Sequence, residues 1–181
     1  MKITPTALPG VLVLEPRVFR DERGYFLESF NAQEFARLTG LQVGFVQDNQ
    51  SCSMKRVLRG LHYQVERPQG KLVRVVAGRV LDVAVDLRRS SPEFGRWVSE
   101  ELSAENHRQL WVPPGFAHGY VVLSDSAEFL YKTTDYYHPA GERTIRWNDA
   151  DLAIDWRLDG PPVVNAKDRD AGAFRTAETY P

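Results

Sequence analysis

Apolar residues in this chain recur mainly in short runs and at every second position, the period of a β-strand, and seldom at the three-to-four spacing of a helix. The central stretch KLVRVVAGRVLDVAVDL shows the pattern best: alternation puts Leu81, Val83, Val85 and Leu87 opposite Asp82 and Asp86. It reads as two strands joined around Ala77, Gly78 and Arg79, and a hairpin is the simplest connection. Similar patterns predict strands at 11–14, 24–29, 43–49, 57–64, 71–77, 80–87, 95–102, 108–112, 119–123, 127–133 and 143–147. So many short strands, punctuated by RDERG, ERPQG, RRSSPEFG and HPAGER, predict an all-β sandwich or barrel.

One helix interrupts the pattern. In SFNAQEFARLTG, Asn31 can cap, Glu34 falls at the third helical position, Phe30 and Phe35 can form a hydrophobic staple, and Gly40 closes the segment. The tail after Trp156 is less regular, with Pro161 and Pro162 together and KDRDAG at 167–172.

At 181 residues the chain has the length of one domain, and no linker, repeat or low-complexity tract divides it. Lys plus Arg number 23 against 24 Asp plus Glu, so any positive region is a local pocket and neither nucleic acid nor an acidic membrane is the expected partner. The single cysteine, Cys52, has no intramolecular partner, which suits a reducing cytoplasm. Pro5, Pro9 and Gly10 break up the N-terminal apolar stretch, so neither a signal segment nor a membrane span is expected there.

Four histidines, His62, His107, His118 and His138, show no HxH or HExxH spacing, and no metal site is expected. Strict period two places Leu58, Gly60, His62 and Gln64 on one face, with Gly60 leaving room beside the imidazole. His62 is then either an accessible base or a core histidine satisfied by a carboxylate or carbonyl. Arg59 has the opposite parity and reads as ordinary surface unless a bulge near Gly60 brings it round. Lys71 shares a face with Val73, Val75 and Ala77, either at the mouth of a barrel or as a solvated strand end. His118 follows the PPG turn where a loop enters the sheet, and Tyr131 shares a face with Ala127 and Phe129, as a phenolic proton donor or as core packing.

Taken together, QDNQSCSMKRVLRGLHYQ, QGKLVRVVAG, VDLRRSSPEFG, VPPGFAHGYVVLS, AEFLYKTTDYY and AKD resemble the dTDP-4-dehydrorhamnose 3,5-epimerases, cofactor-independent sugar-nucleotide epimerases of rhamnose biosynthesis. The resemblance covers nearly the whole chain. It implies a double-stranded β-helix, a jelly-roll, cupin-like barrel with a few short peripheral helices, spanning 1–181 as a single domain with 157–181 as an irregular tail. It also implies a homodimer in which part of the N-terminal region crosses to the neighbouring pocket. The implied substrate is a dTDP-4-keto-6-deoxyhexose, whose C4 carbonyl acidifies C3 and C5, so no cofactor is required.

By the same resemblance His62 is the general base and Asp168 of AKDRD its acidic partner. Lys71 is the cation near the sugar O4, and Tyr131 the acid on the opposite face. Arg59 is the diphosphate contact, Gln47 and Asn49 are polar groups of the pocket, and His118 lies near the substrate. Phe19, Arg23 and Glu28 are expected around base and diphosphate, with Tyr136 as an aromatic wall near thymine. Two departures from the family pattern stand out: Arg56 replaces a glycine before VLRG, and VVNAKD replaces a leucine-serine approach to KD. Three rivals stay open on residues alone: a C3-only epimerase or ketoisomerase of the same scaffold, a non-catalytic sugar-nucleotide binding protein, and a metal-dependent cupin oxygenase, for which the sparse histidines supply no convincing ligand set.

Overall fold

In the computed structural model, which describes residues 1–181, the strands segregate into two facing antiparallel sheets. In chain order they are β1 (Lys2–Pro5), β2 (Leu12–Glu15), β3 (Val18–Asp21), β4 (Gly24–Leu27), β5 (Gln47–Met54), β6 (Leu58–Gln64), β7 (Lys71–Ala77), β8 (Arg79–Asp86), β9 (Trp97–Ser103), β10 (Gln109–Val112), β11 (Phe116–Val122), β12 (Ser126–Thr133) and β13 (Glu142–Thr144). One sheet has six strands in the order β1-β2-β10-β7-β12-β5, the other five in the order β13-β6-β11-β8-β9, and β3 pairs β4 as a separate hairpin. This is the jelly-roll barrel, and β1 and β3 are the strands the hydrophobic pattern did not reveal.

The hairpin expected between β7 and β8 is not formed. β7 pairs β10 and β12 in one sheet, β8 pairs β11 and β9 in the other, and the chain changes sheets at Gly78. Gly78 has φ +74, and a Cβ there would collide with the Ser126 carbonyl oxygen, so only glycine makes so tight a corner. Burial on both faces lets β7 and β8 lie in facing layers instead of side by side.

Three apolar layers follow from the alternation. Val73, Val75, Val80, Ala84, Leu110, Tyr120 and Phe129 fill the space between the sheets. Leu81, Val83, Val85 and Leu87 point outward from the five-stranded sheet and are covered by the tail through Leu152 and Trp156. The outer face of the six-stranded sheet buries Leu72 and Trp111 under α1 (Ala32–Thr39). That helix has the predicted ends: Asn31 accepts the amides of Gln33 and Glu34, Phe30 packs on Phe35 at 6.1 Å, and Gly40 closes it at φ 73. No helix is long and apolar enough to cross a membrane.

Candidate active site

β6 carries His62, the candidate base. His62 Nε2 lies 2.6 Å from Asp168 Oδ1, and Asp168 Oδ2 accepts the Gly60 amide at 3.1 Å. Asp168 sits on a single helical turn, α2 (Ala166–Arg169), whose cap Asn165 accepts the Asp168 amide at 2.7 Å. The altered approach VVNAKD thus still delivers a wholly buried carboxylate to the imidazole. Burial pushes that carboxyl up, but the His62 hydrogen bond and charge, with the Gly60 amide, outweigh it and hold its pKa below the ordinary value.

Strict alternation fails at Gly60. The register of β11 on β6 shifts so that His118 opposes His62 while Tyr120 opposes Arg59, which leaves two residues of β6, Gly60 and Leu61, opposite the single Gly119 of β11. Leu58 therefore packs outward with Leu61 and Tyr63, not on the His62 face, whereas Arg59, though exposed, lines the same cavity as His62. Arg59 Nε donates to Ser53 Oγ at 3.1 Å. The reading of Arg59 as plain surface is corrected by this bulge. Gly60 has φ +119, and a Cβ there would stand 2.6 Å from Gly119 Cα, so the two backbones meet only because both residues lack side chains.

The cavity measures about 290 Å³ and is lined by Asn49, Arg59, His62, Lys71, His118 and Tyr131 among others. Lys71 is buried, its Nζ 3.4 Å from the His62 carbonyl oxygen, so the solvated strand-end alternative does not hold. Burial lowers its pKa to about 8, against the opposing pull of Asp82 and Glu142. Tyr131 enters from β12 in the facing sheet; burial raises its pKa, and neighbouring Tyr120 and Glu142 add to the rise. His118 lies within β11, not at a loop, and its Nε2 contacts both Asp82 oxygens at 2.9 and 3.0 Å.

Gln47 Nε2 donates to Asn49 Oδ1 at 2.9 Å, and the buried Asn49 Nδ2 has no partner in the chain. Tyr136 follows β12 on an exposed loop, with the Arg67 guanidinium over its ring at 5.8 Å. Phe19, Arg23 and Glu28 do not line this chain's own cavity. Phe19 lies half exposed on the β3–β4 hairpin, Arg23 pairs with Asp21, and Glu28 accepts from Asn31 Nδ2. Arg56 has φ 63, so the loop keeps a glycine-like backbone with an arginine in it.

Three carboxylate and amine groups were missed from sequence. Asp82 is wholly buried on the inner face of β8. Glu142 accepts from the Tyr137 hydroxyl at 2.8 Å and from Lys167 Nζ at 2.5 Å. Alternation alone puts Asp82 on the polar face of a half-buried strand, and only the burial of both faces of β8 encloses it. Glu142 and Lys167 sat in segments that looked like punctuation and tail. No three His, Cys, Asp or Glu side chains are grouped as metal ligands are.

A family model described as dTDP-4-dehydrorhamnose 3,5-epimerase matches residues 5–176. The chain belongs to this family. Among curated relatives, the Pseudomonas aeruginosa dTDP-4-dehydrorhamnose 3,5-epimerase is 59% identical over 181 residues, covering 100% of both chains. The Salmonella typhimurium enzyme is 58% identical over 172 residues, 94% of each chain. Among solved structures, the Legionella pneumophila 3,5-epimerase in complex with dTDP-4-keto-L-rhamnose superposes with a TM-score of 0.96 at 51% identity, covering 98% of this chain and 94% of that one. The family's jelly-roll, cupin-like barrel is the architecture found here.

Proposed function

We propose that the protein converts dTDP-4-dehydro-6-deoxy-D-glucose to dTDP-4-dehydro-L-rhamnose, with His62 as base and Tyr131 as acid. The observation that carries this reading is the His62–Asp168 pair opening on a cavity that Tyr131 enters from the opposite sheet. Inversion demands opposed groups, since a proton returned to the face it left regenerates substrate. His62 removes the C3 proton, the electron pair moves into an enolate on O4, and Tyr131 delivers a proton from the other side; solvent then takes the proton from His62 and returns one to Tyr131, and the same exchange at C5 completes the product. Asp168 accepts the Nε2 hydrogen bond and stabilises the imidazolium. The Lys71 ammonium stabilises negative charge growing on O4 inside a low-dielectric pocket. The carbonyl of the substrate supplies the acidity, so the residues present suffice.

Arg59 is positioned at the cavity for the diphosphate, where a guanidinium matches phosphate oxygens, and Asn49 and Gln47 offer polar contacts to the sugar nucleotide. Tyr136 provides an aromatic wall for thymine. The protein works as a homodimer in which the β3–β4 hairpin brings Phe19, Arg23 and Glu28 to the partner's pocket. What supports this is the hairpin itself: Phe19, Tyr25 and Phe26 are 49, 55 and 70% exposed, an apolar surface that a second copy would cover. A cytoplasmic setting suits the single exposed thiol of Cys52.

Turnover in deuterium oxide followed by proton NMR tests the reaction. Deuterium is expected at both C3 and C5 of the product; exchange at C3 alone would mark a C3-only epimerase, and no exchange would mark a binding protein.

A further inference from the structure

One buried carboxylate has no part in the reaction as described above. Asp82 is 0% exposed, and the only side-chain hydrogen bonds to it come from His118, whose Nε2 meets both of its oxygens. His118 in turn is buried, stacked near Phe129 at 6.1 Å between ring centres, and lines the cavity with Lys71. An anion so enclosed is tolerated only with a cationic or donating partner, and it acts on every charge nearby through a poorly screening interior.

We infer that Asp82 is a positioning residue of the epimerase site: buried behind the cavity, it orients His118 through Nε2 and sets a fixed negative charge behind the wall that His118 and Lys71 share. The inference rests on the reading of Lys71 given under the proposed function. Lys71 shares the cavity with His62 and Arg59 from β6, His118 and Tyr120 from β11 and Tyr131 from β12, and the charges of Asp82 from β8 and Glu142 from β13 act on it. Only Asp82 and Glu142 among them are carboxylates. Glu142 is already held by Lys167 and Tyr137, whereas Asp82 has no side-chain partner but His118. Burial alone drives the Lys71 amine toward neutrality, and the Asp82 charge opposes it more than that of Glu142. The same enclosure raises the Asp82 pKa through burial, against the pull of His118 and then Lys71.

Asp82→Asn keeps the shape and a hydrogen-bonding oxygen but removes the charge. With the variant's fold checked by circular dichroism, kcat/KM against pH is measured beside the wild type. The alkaline limb is expected to move to lower pH by about one unit, with kcat near neutrality reduced about tenfold and KM changed much less. A variant with an unmoved limb and only a lowered melting temperature would overturn the inference, because a merely structural carboxylate leaves the pH profile in place. If the wild type itself fails to turn over the keto sugar, it is the proposed function that falls. Nitrogen-15 histidine NMR on the wild type needs neither substrate nor variant and decides the matter if Asp82→Asn does not fold. His118 is expected to keep a protonated Nε2 throughout the range in which the enzyme is active. An Nε2 without its proton there would overturn the inference.

Discussion

Asp168 holds His62 at 2.6 Å with one carboxylate oxygen and the amide of Gly60 at 3.1 Å with the other, so a single side chain fixes both the imidazole and the backbone bend that aims it. The two residues are 106 positions apart, and α2 exists to bring the carboxylate in from the tail.

Asp168→Asn retains the shape of the contact and removes its charge. The imidazolium formed on proton abstraction then loses its counter-ion, and kcat is expected to fall about 10²–10⁴-fold, the range of a positioned acid–base contribution. Initial-rate kinetics, with binding of dTDP measured in parallel by calorimetry and expected to stay close to wild type, check this.

In the proposed role Lys71 acts in its protonated form, and its pKa is lowered to about 8 by burial. Activity is therefore present below that pH and is lost as the pH rises through it. Lys71→Arg keeps its charge to much higher pH, so whatever activity it retains should lack this limb. Lys71→Met is expected to lose about 10²–10³-fold in kcat at neutral pH, as when one oxyanion donor is removed. A pH–rate series on the three proteins measures both effects.

Gly60→Ala places a methyl group 2.6 Å from Gly119 Cα and 2.7 Å from the His118 carbonyl oxygen, at a φ of +119. The strands must part or the bend must relax, and about 3 kcal/mol of stability is expected to be lost. Urea unfolding monitored by circular dichroism gives the number, and the folded fraction should have lost most of its turnover.

Phe26 is 70% exposed and pairs with Phe19 on the apolar surface of the β3–β4 hairpin. Phe26→Asp is expected to shift the protein from dimer to monomer in sedimentation velocity and to cut turnover at least about tenfold, as hot-spot loss at an interface does. A fully active monomer would refute the shared pocket.

Much of this arrangement is legible in the chain. Asn31, Glu34 and Gly40 mark α1 because capping is local chemistry, and the inward face of Ala127, Phe129 and Tyr131 follows from simple alternation. What escapes is set by tertiary contact. The sheet change at Gly78 looks like a hairpin because a corner and a turn use the same residues. Arg59 looks like surface because its parity reverses only where Gly60 meets Gly119 across two strands. β3 is hidden in VFRD, whose mostly exposed residues carry no inward face within one chain. Asp82 is visible only once both faces of β8 are known to be buried.

The opposed roles of His62 and Tyr131 are the heart of the account, and one measurement separates them: solvent deuterium exchange and inversion, followed together by NMR, in His62→Asn and Tyr131→Phe. His62→Asn is expected to lose most exchange at both C3 and C5, while Tyr131→Phe keeps exchange and loses much of the inversion. Exchange in His62→Asn at the wild-type rate, or full inversion in Tyr131→Phe, would contradict the assignment.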